Sequence, residues 1–519
     1  MSDRRRGREA ERYGGGERCE CVAHTGKVDG VAVYPGLVSI EAIEEYAGDR
    51  SHLGPPPPAG FTGAAGGAPC GDLVRISLAV AASRIVEVTF GAEGCATTRA
   101  AAAATAALVD GAPVLAAARL GSEEIAAELG GLGAQGRHAA DLAADALHRA
   151  VGAAASAGVE LANPPASGER VLVALSGGVD SAVAAHLERE AGADVVAVTL
   201  KLWADERTDG TRSCCSPQAV LGARALAHSM GVPHLTLDLT AAFRARVVDP
   251  FIAGYAAGRT PNPCVICNGD LRLDAMVALG DRLGASALAT GHYARLAGDE
   301  DGPLLAAPAD AAKDQTYMLS GVRPETLARL RFPLAGLTKP EVREIAAAAG
   351  LPVAAKRESQ DLCFLAGEGK RSFLARHGGL RERPGEIVDS GGRVVGRHRG
   401  HHHFTVGQRR GLGVAAPQPL YVTATDVHAN RVVVGPREAL AASRVRLRDV
   451  TLRRPTARID RVKLRYRSRP IACAADPLPA GAHRHLELRL AEPAYGIAPG
   501  QTACLMDGDL VVGRATIAG

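Results

Sequence analysis

Hydrophobic and polar residues follow three successive patterns along the chain. Between residues 43 and 160, the runs LVRISLAV and RIVEVTFG predict two strands, and three alanine-rich stretches after them predict helices that end near residue 157. Between residues 168 and 375, strand-like runs such as VLVAL, DVVAVTL and HLTLDL alternate with helical stretches. Beyond residue 376, short strand-like runs separated by turns predominate. The chain is therefore predicted to contain several domains with different architectures.

These patterns predict a fold class for each part of the chain. Residues 43–160 are predicted to form an α+β domain, because the strands are followed by helices. Residues 168–375 alternate strands with helices, which is typical of a Rossmann-like α/β domain with a mostly parallel sheet. Two β-rich modules are predicted over residues 376–442 and 443–519, the second of them a small β-barrel.

Segments rich in proline and glycine interrupt these domains. HLGPPPPAGFTGAAGGAP (52–69) is predicted to contain neither a helix nor a central strand, so that folding resumes after it. ANPPASGER (162–170) is predicted to be a linker. Residues 1–42 are charged, show no clear periodicity and remain unassigned.

Composition adds limits on location and partners. The 519 residues include 60 Lys and Arg against 56 Asp and Glu, a net charge of +4, so any nucleic-acid footprint must be local. No apolar run approaches the roughly 20 residues of a membrane span, and the N-terminus lacks the apolar core of a signal peptide. We therefore expect a cytoplasmic protein without a membrane partner. In that compartment the eleven cysteines are expected to be catalytic, metal-binding or inert rather than disulfide-bonded.

The stretch VLVALSGGVDSAVAAHL places a glycine-rich turn, SGGVDS (176–181), between a strand and a helix. Glycines let a backbone approach phosphate closely, and a helix directs its first amides and the positive end of its dipole at such a turn. The lysine of a Walker A loop is missing. The turn resembles the PP-loop of ATP pyrophosphatases, which implies transfer of an adenylate from ATP to a substrate oxygen.

Further motifs in the same order extend this resemblance to one family. GRTPNPCVICN (258–268), ATGHYARL (289–296), AKDQTYML (312–319), KRESQDLCFL (356–365), HHFTVGQRRGLG (402–413) and VKLRYRSRP (462–470) resemble tRNA-uridine 2-thiolases of the MnmA type over residues 168–519. This resemblance implies ATP- and Mg²⁺-dependent 2-thiolation of the wobble uridine, position 34, in tRNAs for Lys, Glu and Gln. It also implies a cysteine desulfurase as sulfur donor.

The resemblance also implies roles for individual residues. Cys363 matches the cysteine that carries a persulfide, and Cys267 matches the cysteine that completes the sulfur exchange. Contacts with ATP are implied for Ala174, Leu175, Ser176, Gly177, Gly178, Val179, Asp180, Ser181, Leu200 and Gly291. Contacts with tRNA are implied for Asn262, Pro263, Lys313, Asp314, Gln315, Arg465 and Tyr466. Without the resemblance, the residues of KLRYRSRP are compatible with two interpretations. The stretch is either an RNA-binding strand with a stacking tyrosine or a solvated strand face.

Cys264 departs from the family pattern, in which many members carry aspartate before the next cysteine. A zinc knuckle would need a second close Cys or His pair, and a redox dithiol usually opens a helix after a strand, so neither is preferred for this pair. Cys264, Cys267 and Cys363 would instead be three ligands for a [4Fe–4S] cluster that leaves one iron open for sulfide. A persulfide route and a cluster route both remain open.

The N-terminal domain resembles iron–sulfur scaffold proteins of the NifU/IscU type, on GAPCGDLVRISLAV, VTFGAEGCATTRA and GRHAADLAADAL. Its expected ligands for iron or zinc are Cys70, Asp72, Cys95 and His138, whereas Ala139 stands where the family has its third cysteine. A degenerate domain kept for docking is the alternative. HRGHHH (398–403) is predicted to be a surface loop beside the tRNA, in preference to a metal-binding tract.

Two other functions compete with thiolation. One is an iron–sulfur scaffold or carrier in which the PP-loop half serves only as a binding module. The other is a PP-loop synthetase that forms an amide, which would leave Cys267, Cys363 and the basic C-terminal strands without a purpose.

Overall fold

The computed structural model describes residues 40–67, 71–203, 205, 216–356, 362–365 and 367–518. The predicted ligand Cys70 and most of the unassigned N-terminal segment lie outside these residues. The expected fold class, an α+β domain followed by a Rossmann-like domain and β-rich modules with a barrel, is confirmed.

The N-terminal domain is a three-stranded antiparallel sheet in the order β1-β2-β3, covered by helices. Its elements are α1 (Ile40–Gly48), β1 (Phe61–Gly66), β2 (Leu73–Ala81), β3 (Arg84–Glu93), α2 (Ala96–Val109), α3 (Val114–Ala117), α4 (Ser122–Glu128) and α5 (Ala134–Ala157). The expectation that folding resumes only after the Pro/Gly-rich segment is wrong, because FTGAAG forms the edge strand β1. Gly63 permits this strand, since a Cβ there would lie 2.1 Å from Ala146 O of α5.

The central domain contains a five-stranded parallel sheet in the order β10-β7-β4-β5-β6. Its first half comprises β4 (Arg170–Ala174), α6 (Val179–Glu190), β5 (Asp194–Lys201), α7 (Pro217–Ser229), β6 (His234–Asp238), α8 (Thr240–Phe243), α9 (Asp249–Ala256), α10 (Pro263–Cys267) and α11 (Leu273–Arg282). The second half comprises β7 (Ala287–Thr290), β8 (Arg295–Asp299), β9 (Gly302–Ala306), α12 (Thr316–Leu319), α13 (Pro324–Leu327), β10 (Leu330–Arg331), α14 (Lys339–Ala348) and α15 (Lys370–Gly378). Apolar side chains on both faces of β4 and β5 explain why helices cover both sides of this sheet.

Two β modules follow the central domain. A small sheet in the order β12-β11-β14-β13 is built from β11 (Gly385–Val388), β12 (Val394–His398), β13 (Tyr421–Asp426) and β14 (Arg431–Gly435). A six-stranded barrel is built from β15 (Ala441–Leu452), β16 (Arg461–Lys463), β17 (Ile471–Ala475), β18 (Gly481–Tyr495), β19 (Thr502–Asp507) and β20 (Leu510–Ile517). Pairing of β15 with β20 closes the barrel, and pairing of β9 with β20 attaches it to the central domain.

The N-terminal domain is docked on the edge strand β6 of the central sheet. Gly152 of α5 lies against this strand so closely that a Cβ would be 2.9 Å from Thr236 O. The Asp238 amide of the same strand donates to Ser156 Oγ at 3.3 Å. Helix α5 therefore covers a sheet edge that would otherwise offer unpaired backbone groups.

An ion pair between the N-terminal and central domains allows the contribution of their interface to stability to be tested. Arg224 Nη2 lies 2.9 Å from Asp145 Oδ1, and these side chains are only 9% and 16% exposed. Asp145→Ala leaves the guanidinium nearly buried without its carboxylate, so we expect the free energy of unfolding to fall by about 3 kcal/mol. Asp141→Ala removes an exposed carboxylate one turn earlier in α5 and should change it by less than about 0.5 kcal/mol in the same chemical denaturation experiment. Equal effects of the two substitutions would contradict this role.

Three histidines at the same domain interface are expected to make the stability of the protein depend on pH. His148 and His234 are buried, and the His148 and His228 rings lie 5.1 Å apart. Burial lowers the pKa of all three imidazoles, and the Arg224 guanidinium lowers it further. Because the unfolded chain then binds more protons than the folded one, stability should fall as pH drops below about 6.5. Unfolding curves at pH 7.5 and 5.5 test this, and a stability that is equal or greater at pH 5.5 would contradict it.

Candidate active site

The phosphate loop lies at the carboxyl end of β4, where its own residues fix its shape. Gly177 has a φ of +69°, which glycine adopts without strain. Ser181 Oγ accepts a hydrogen bond from the Ser176 amide at 3.1 Å and donates one to Gly178 O at 3.0 Å. Gly178 is the N-cap of α6, so the first amides of this helix face the turn. This geometry suits a bound phosphate.

The predicted ATP residues outside the loop lie at the same edge of the sheet. Gly291 follows β7 and packs against the start of α6, where a Cβ would be 2.6 Å from the Ser181 amide nitrogen. Leu200 lies near the carboxyl end of β5, the strand beside β4. Ligands of open α/β sheets bind in the crevice at this edge. The structure therefore brings the predicted ATP residues together, and their contacts with ATP remain a prediction.

Two lysines that the sequence analysis missed reach the phosphate loop. Lys339 Nζ lies 2.6 Å from Asp180 Oδ1, which also accepts a hydrogen bond from the Tyr293 hydroxyl at 2.9 Å. Lys356 Nζ donates to Gly177 O at 2.8 Å. The basic residues of the chain are mostly arginine, so lysines are rare in it. This rarity is the one sequence feature that could have drawn attention to Lys339 and Lys356.

The cysteine pair of TPNPCVIC lies on one short helix whose start is set by its neighbours. Asn262 Oδ1 accepts hydrogen bonds from the amides of Cys264 at 3.2 Å and Val265 at 3.3 Å, and Pro263 occupies the first helical position. Cys264 and Cys267 are three residues apart and share a face of α10. Cys264 is half-buried, whereas Cys267 is only 7% exposed.

Cys267 and Cys363 both pack in one cluster of apolar side chains, although 96 positions separate them. Cys267 belongs to a buried group that we call the aromatic cluster, and half-buried Cys363 packs against it. Next to Cys363, Phe364 is 1% exposed, with ring centroids 5.1 Å from both Phe251 and Phe373. The aromatic cluster contains Leu202, Trp203, Phe243, Val247, Val248, Phe251, Tyr255, Cys267, Leu271, Phe364, Phe373 and Leu374. The structure thus brings the two predicted catalytic cysteines to one apolar environment.

The three cysteines Cys264, Cys267 and Cys363 are not arranged to bind a single metal ion. Within the described part of the chain, the sulfur atoms of Cys264, Cys267 and Cys363 do not all lie within 4.8 Å of one another. One such group does occur there, formed by Asp205, Glu368 and His377. Arg376 donates to the carboxylates of both Asp205 and Glu368, so a guanidinium already offsets part of their negative charge. We assign this group a structural role.

Three of the predicted tRNA residues make contacts that join parts of the protein. Asp314 Oδ2 accepts from Lys463 Nζ of the barrel at 2.8 Å, in a nearly buried ion pair. Gln315 Oε1 accepts from the Tyr293 amide at 2.8 Å. Arg465 Nη2 donates to carbonyl oxygens of Val406 and Gly496.

The other predicted tRNA residues occupy varied positions. Half-buried Tyr466 lies 6.3 Å from Tyr317 between ring centroids, with the Arg467 guanidinium over its face at 5.4 Å. Lys313 ends a single 3₁₀ turn, and Asn262 and Pro263 begin α10. Contact of any of these residues with tRNA remains a prediction.

A basic cleft of about 570 Å³ separates α10 from the barrel. Its walls include Asn262, Val265 and Ile266 on one side and strands β15, β18 and β20 on the other. Four arginines line it, against the single carboxylate of Asp449: Arg259, Arg448, Arg484 and Arg514. Sequence reasoning missed this cleft because its residues come from five separate stretches of the chain.

The predicted N-terminal ligands are only partly brought together. The Cys95 amide donates to Asp72 Oδ1 at 3.4 Å, and exposed Cys95 has its Sγ 3.2 Å from Thr98 Oγ1. His138 is exposed on α5, whereas the neighbouring Ala139 is buried. Among the described residues, Asp72, Cys95 and His138 do not form a group with all ligand atoms within 4.8 Å.

The prediction of a surface loop for the histidine-rich tract is wrong. His398, His401, His402 and His403 are each less than one-tenth exposed. The tract forms a 3₁₀ turn packed between the small sheet and α9, where His401 Nε2 lies 3.2 Å from Ala256 O.

Known proteins resemble the chain over nearly its full length. The "Bifunctional protein NifU/MnmA" of Rubrobacter xylanophilus is 46% identical over 467 residues, covering 88% of this chain and 93% of that protein. This chain belongs to the NifU/MnmA family.

Matches to narrower families agree with the NifU/MnmA assignment. The "NifU-like N terminal domain" family matches residues 41–156, and the "tRNA methyl transferase HUP domain" family matches residues 169–367. The "tRNA methyl transferase PRC-barrel domain" and "Aminomethyltransferase beta-barrel domain" families match residues 371–436 and 442–517.

Relatives of the MnmA half alone are also similar to this NifU/MnmA protein. The "tRNA-specific 2-thiouridylase MnmA" of Acidithiobacillus ferrooxidans is 45% identical over 356 residues, which is 68% of this chain and 99% of that one. The protein of the same description from Moorella thermoacetica is 43% identical over 359 residues, 67% of this chain and 98% of that one.

None of the helices in the described segments combines the length and apolar character needed to cross a bilayer.

Proposed function

We propose that this NifU/MnmA protein is an ATP-dependent tRNA 2-thiouridylase that acts on the wobble uridine, position 34. The observation that carries the proposal is the aromatic cluster, which gathers Cys267 and Cys363 in a domain that also carries a phosphate loop. Family membership supports it, because relatives at 43% to 45% identity are described as tRNA-specific 2-thiouridylases.

The first step is activation of the uridine C2 oxygen. The loop amides before and within α6 hold the phosphates of ATP, and a bound Mg²⁺ would supply positive charge to balance part of theirs. The C2 oxygen attacks the α-phosphorus, the bond to the β-phosphate breaks, and diphosphate leaves. A poor leaving group, the carbonyl oxygen, thereby becomes the good leaving group AMP.

The second step transfers sulfur from a persulfide on Cys363. The terminal sulfur attacks C2 and AMP departs, which leaves the base attached to Cys363 through a disulfide bond. The Cys267 thiolate then attacks Cys363 Sγ, forming a Cys267–Cys363 disulfide and releasing 2-thiouridine. An external thiol reductant restores both cysteines, and a cysteine desulfurase reloads the persulfide on Cys363.

We prefer this persulfide route to the cluster route. It needs only the two cysteines of the aromatic cluster, whereas a [4Fe–4S] cluster would also recruit Cys264. Iron and sulfide analysis of anaerobically purified protein tests the choice. The cluster route would be favoured if the wild type bound iron and if Cys264→Ser lost both the iron and the thiolation activity.

For the N-terminal domain we propose a docking role over cluster assembly. It is fixed to β6 by α5, and buried Ala139 stands where its family has a third cysteine. Iron or zinc bound stoichiometrically in wild type and lost in Cys95→Ser would contradict this. We also infer a cytoplasmic location, where tRNA and ATP are available.

The basic cleft is the proposed path of the tRNA backbone towards α10, and Arg484 tests it. Arg484→Ala removes an exposed cation that lines the cleft. We expect weaker tRNA binding and a slope of log K against log salt that is smaller by about 0.7 to 0.9, since one phosphate contact is lost. Arg444→Ala removes an exposed barrel arginine paired with Glu487, and should change neither quantity. Identical salt slopes for wild type and Arg484→Ala would contradict the proposed path.

A direct test uses the full chain, ATP, unmodified tRNA and a persulfide donor. The proposal predicts AMP formation that depends on tRNA, together with 2-thiouridine at position 34 detected by mass spectrometry. AMP formation without tRNA, or modification at another position, would overturn it. Bound iron and sulfide without any AMP formation would instead favour the scaffold or carrier function.

A further inference from the structure

Lys356 reaches the phosphate loop from outside the stretch that contains the loop. Its Nζ donates to Gly177 O at 2.8 Å, although 179 positions separate the two residues. Gly177 is the loop residue with φ of +69°, and its carbonyl oxygen lies one residue before the N-cap of α6. The ammonium group is therefore held at the turn that the first amides of α6 face.

The two lysines at this loop are not equivalent. Lys339 Nζ is paired with the Asp180 carboxylate at 2.6 Å, so the positive charge of Lys339 is already balanced. Lys356 meets the loop at an uncharged carbonyl oxygen. In the part of the chain that the structure describes, no carboxylate oxygen lies within 4.0 Å of Lys356 Nζ, and its side chain is exposed. Among the described residues, no carboxylate therefore competes with an anion for its charge.

Helix α14 supports the backbone on which Lys356 stands. Arg343 of this helix donates to Ala354 O at 2.6 Å and to Lys356 O at 3.2 Å. The same helix begins with Lys339, which is bound to the loop through Asp180. Lys356 is thus placed by a helix that is itself anchored to the phosphate loop.

We propose that Lys356 is a phosphate ligand of ATP that takes the place of the lysine missing from SGGVDS. Its ammonium group binds a non-bridging oxygen of the β- or γ-phosphate, next to the Gly177 carbonyl. A loop that binds a triphosphate through backbone amides alone leaves much of the negative charge of the triphosphate unbalanced. The ammonium group of a lysine is a compact positive charge that can offset it. This inference rests on the proposed function, because it assumes that the loop binds ATP.

The position of Lys356 in the chain gives this contact a second consequence. Lys356 precedes Cys363 by seven residues, so one segment carries a ligand of the leaving diphosphate and the proposed carrier of sulfur. Charge balance at the phosphates and sulfur delivery therefore depend on the same part of the chain.

The test compares ATP with AMP as ligands of the full chain, in equilibrium titrations without tRNA. Lys356→Ala should weaken ATP binding by about 10- to 100-fold, the range for loss of one hydrogen bond to a charged group, and change AMP binding by less than about twofold. Lys356→Arg should recover part of the ATP affinity because it keeps the charge. Arg295→Ala, which removes an exposed cation paired with Asp509, should leave both affinities unchanged.

Two results would overturn the inference. Unchanged ATP affinity in Lys356→Ala would mean that the lysine makes no phosphate contact. Equal weakening of ATP and AMP would mean that Lys356 only shapes the loop. Either result leaves the proposed function standing, whereas ATP binding by wild type without tRNA-dependent AMP formation would reject the thiolation function and keep the Lys356 contact.

Discussion

Replacing Cys363 with serine is expected to lower the rate of 2-thiouridine formation by at least about 1,000-fold. A serine hydroxyl forms no persulfide, so the sulfur atom has no carrier at the aromatic cluster. Adenylation of the uridine needs no sulfur, and binding of ATP and tRNA should stay within about twofold of wild type. Single-turnover assays of thiouridine formation, with parallel binding titrations, measure both effects.

Cys473 provides the matched control for this substitution. It lies on β17 of the barrel, half-buried, and burial raises the pKa of its thiol to about 11, which makes it a poor nucleophile. Cys473→Ser should retain full activity. Thiolation at the wild-type rate by Cys363→Ser would show that sulfur reaches the base by another route.

Gly291→Ala is expected to weaken ATP binding by at least about 100-fold. A Cβ at this position would lie 2.6 Å from the Ser181 amide nitrogen and 2.7 Å from the Asp180 carbonyl carbon. Both neighbours are backbone atoms, so α6 or the segment after β7 must shift. The amides that face the phosphates then move, and an electrostatic site tolerates such displacement poorly.

Gly336→Ala controls for the general cost of adding a methyl group. No atom lies within 4 Å of the position that its Cβ would take, so ATP affinity should not change. Titration of the two variants with ATP, after circular dichroism has confirmed that both are folded, measures the difference. Wild-type affinity in Gly291→Ala would mean that ATP binds away from the start of α6.

Local signals predicted the phosphate loop well. A buried strand, two glycines and a helix are adjacent in VLVALSGGVDSAVAAHL, so the order of residues specifies the turn directly. The parallel sheet followed from alternating strand and helix patterns in the same way. Strand β1 was missed because its glycines suggest a loop, and its stability comes from α5 packing against Gly63.

Long-range packing explains what local signals missed. Cys267 and Cys363 were paired only through family resemblance, since spacing alone does not bring positions 96 residues apart to one cluster. The buried histidines and the arginines of the cleft depend on how separate elements stack. Lys356 depends likewise on Arg343 of α14, which holds its backbone.

Two departures from the parent families bear on how the halves work together. By the family resemblance, Cys264 stands where many members carry aspartate, and buried Ala139 stands where the scaffold family is expected to have its third cysteine. The N-terminal domain nevertheless covers the edge strand β6 through α5, so its contribution to stability does not require a metal. Loss of cluster assembly with retention of docking is consistent with both observations.

A single-turnover transfer of labelled sulfur tests most directly whether Cys363 carries the sulfur to the activated uridine. The full chain is loaded with a ³⁵S persulfide, its position on Cys363 is established by peptide mapping, and unmodified tRNA and ATP are added. The persulfide mechanism predicts one ³⁵S in 2-thiouridine at position 34 for each AMP formed, together with a Cys267–Cys363 disulfide. Transfer of label without AMP formation, or AMP formation with all label still on Cys363, would contradict it.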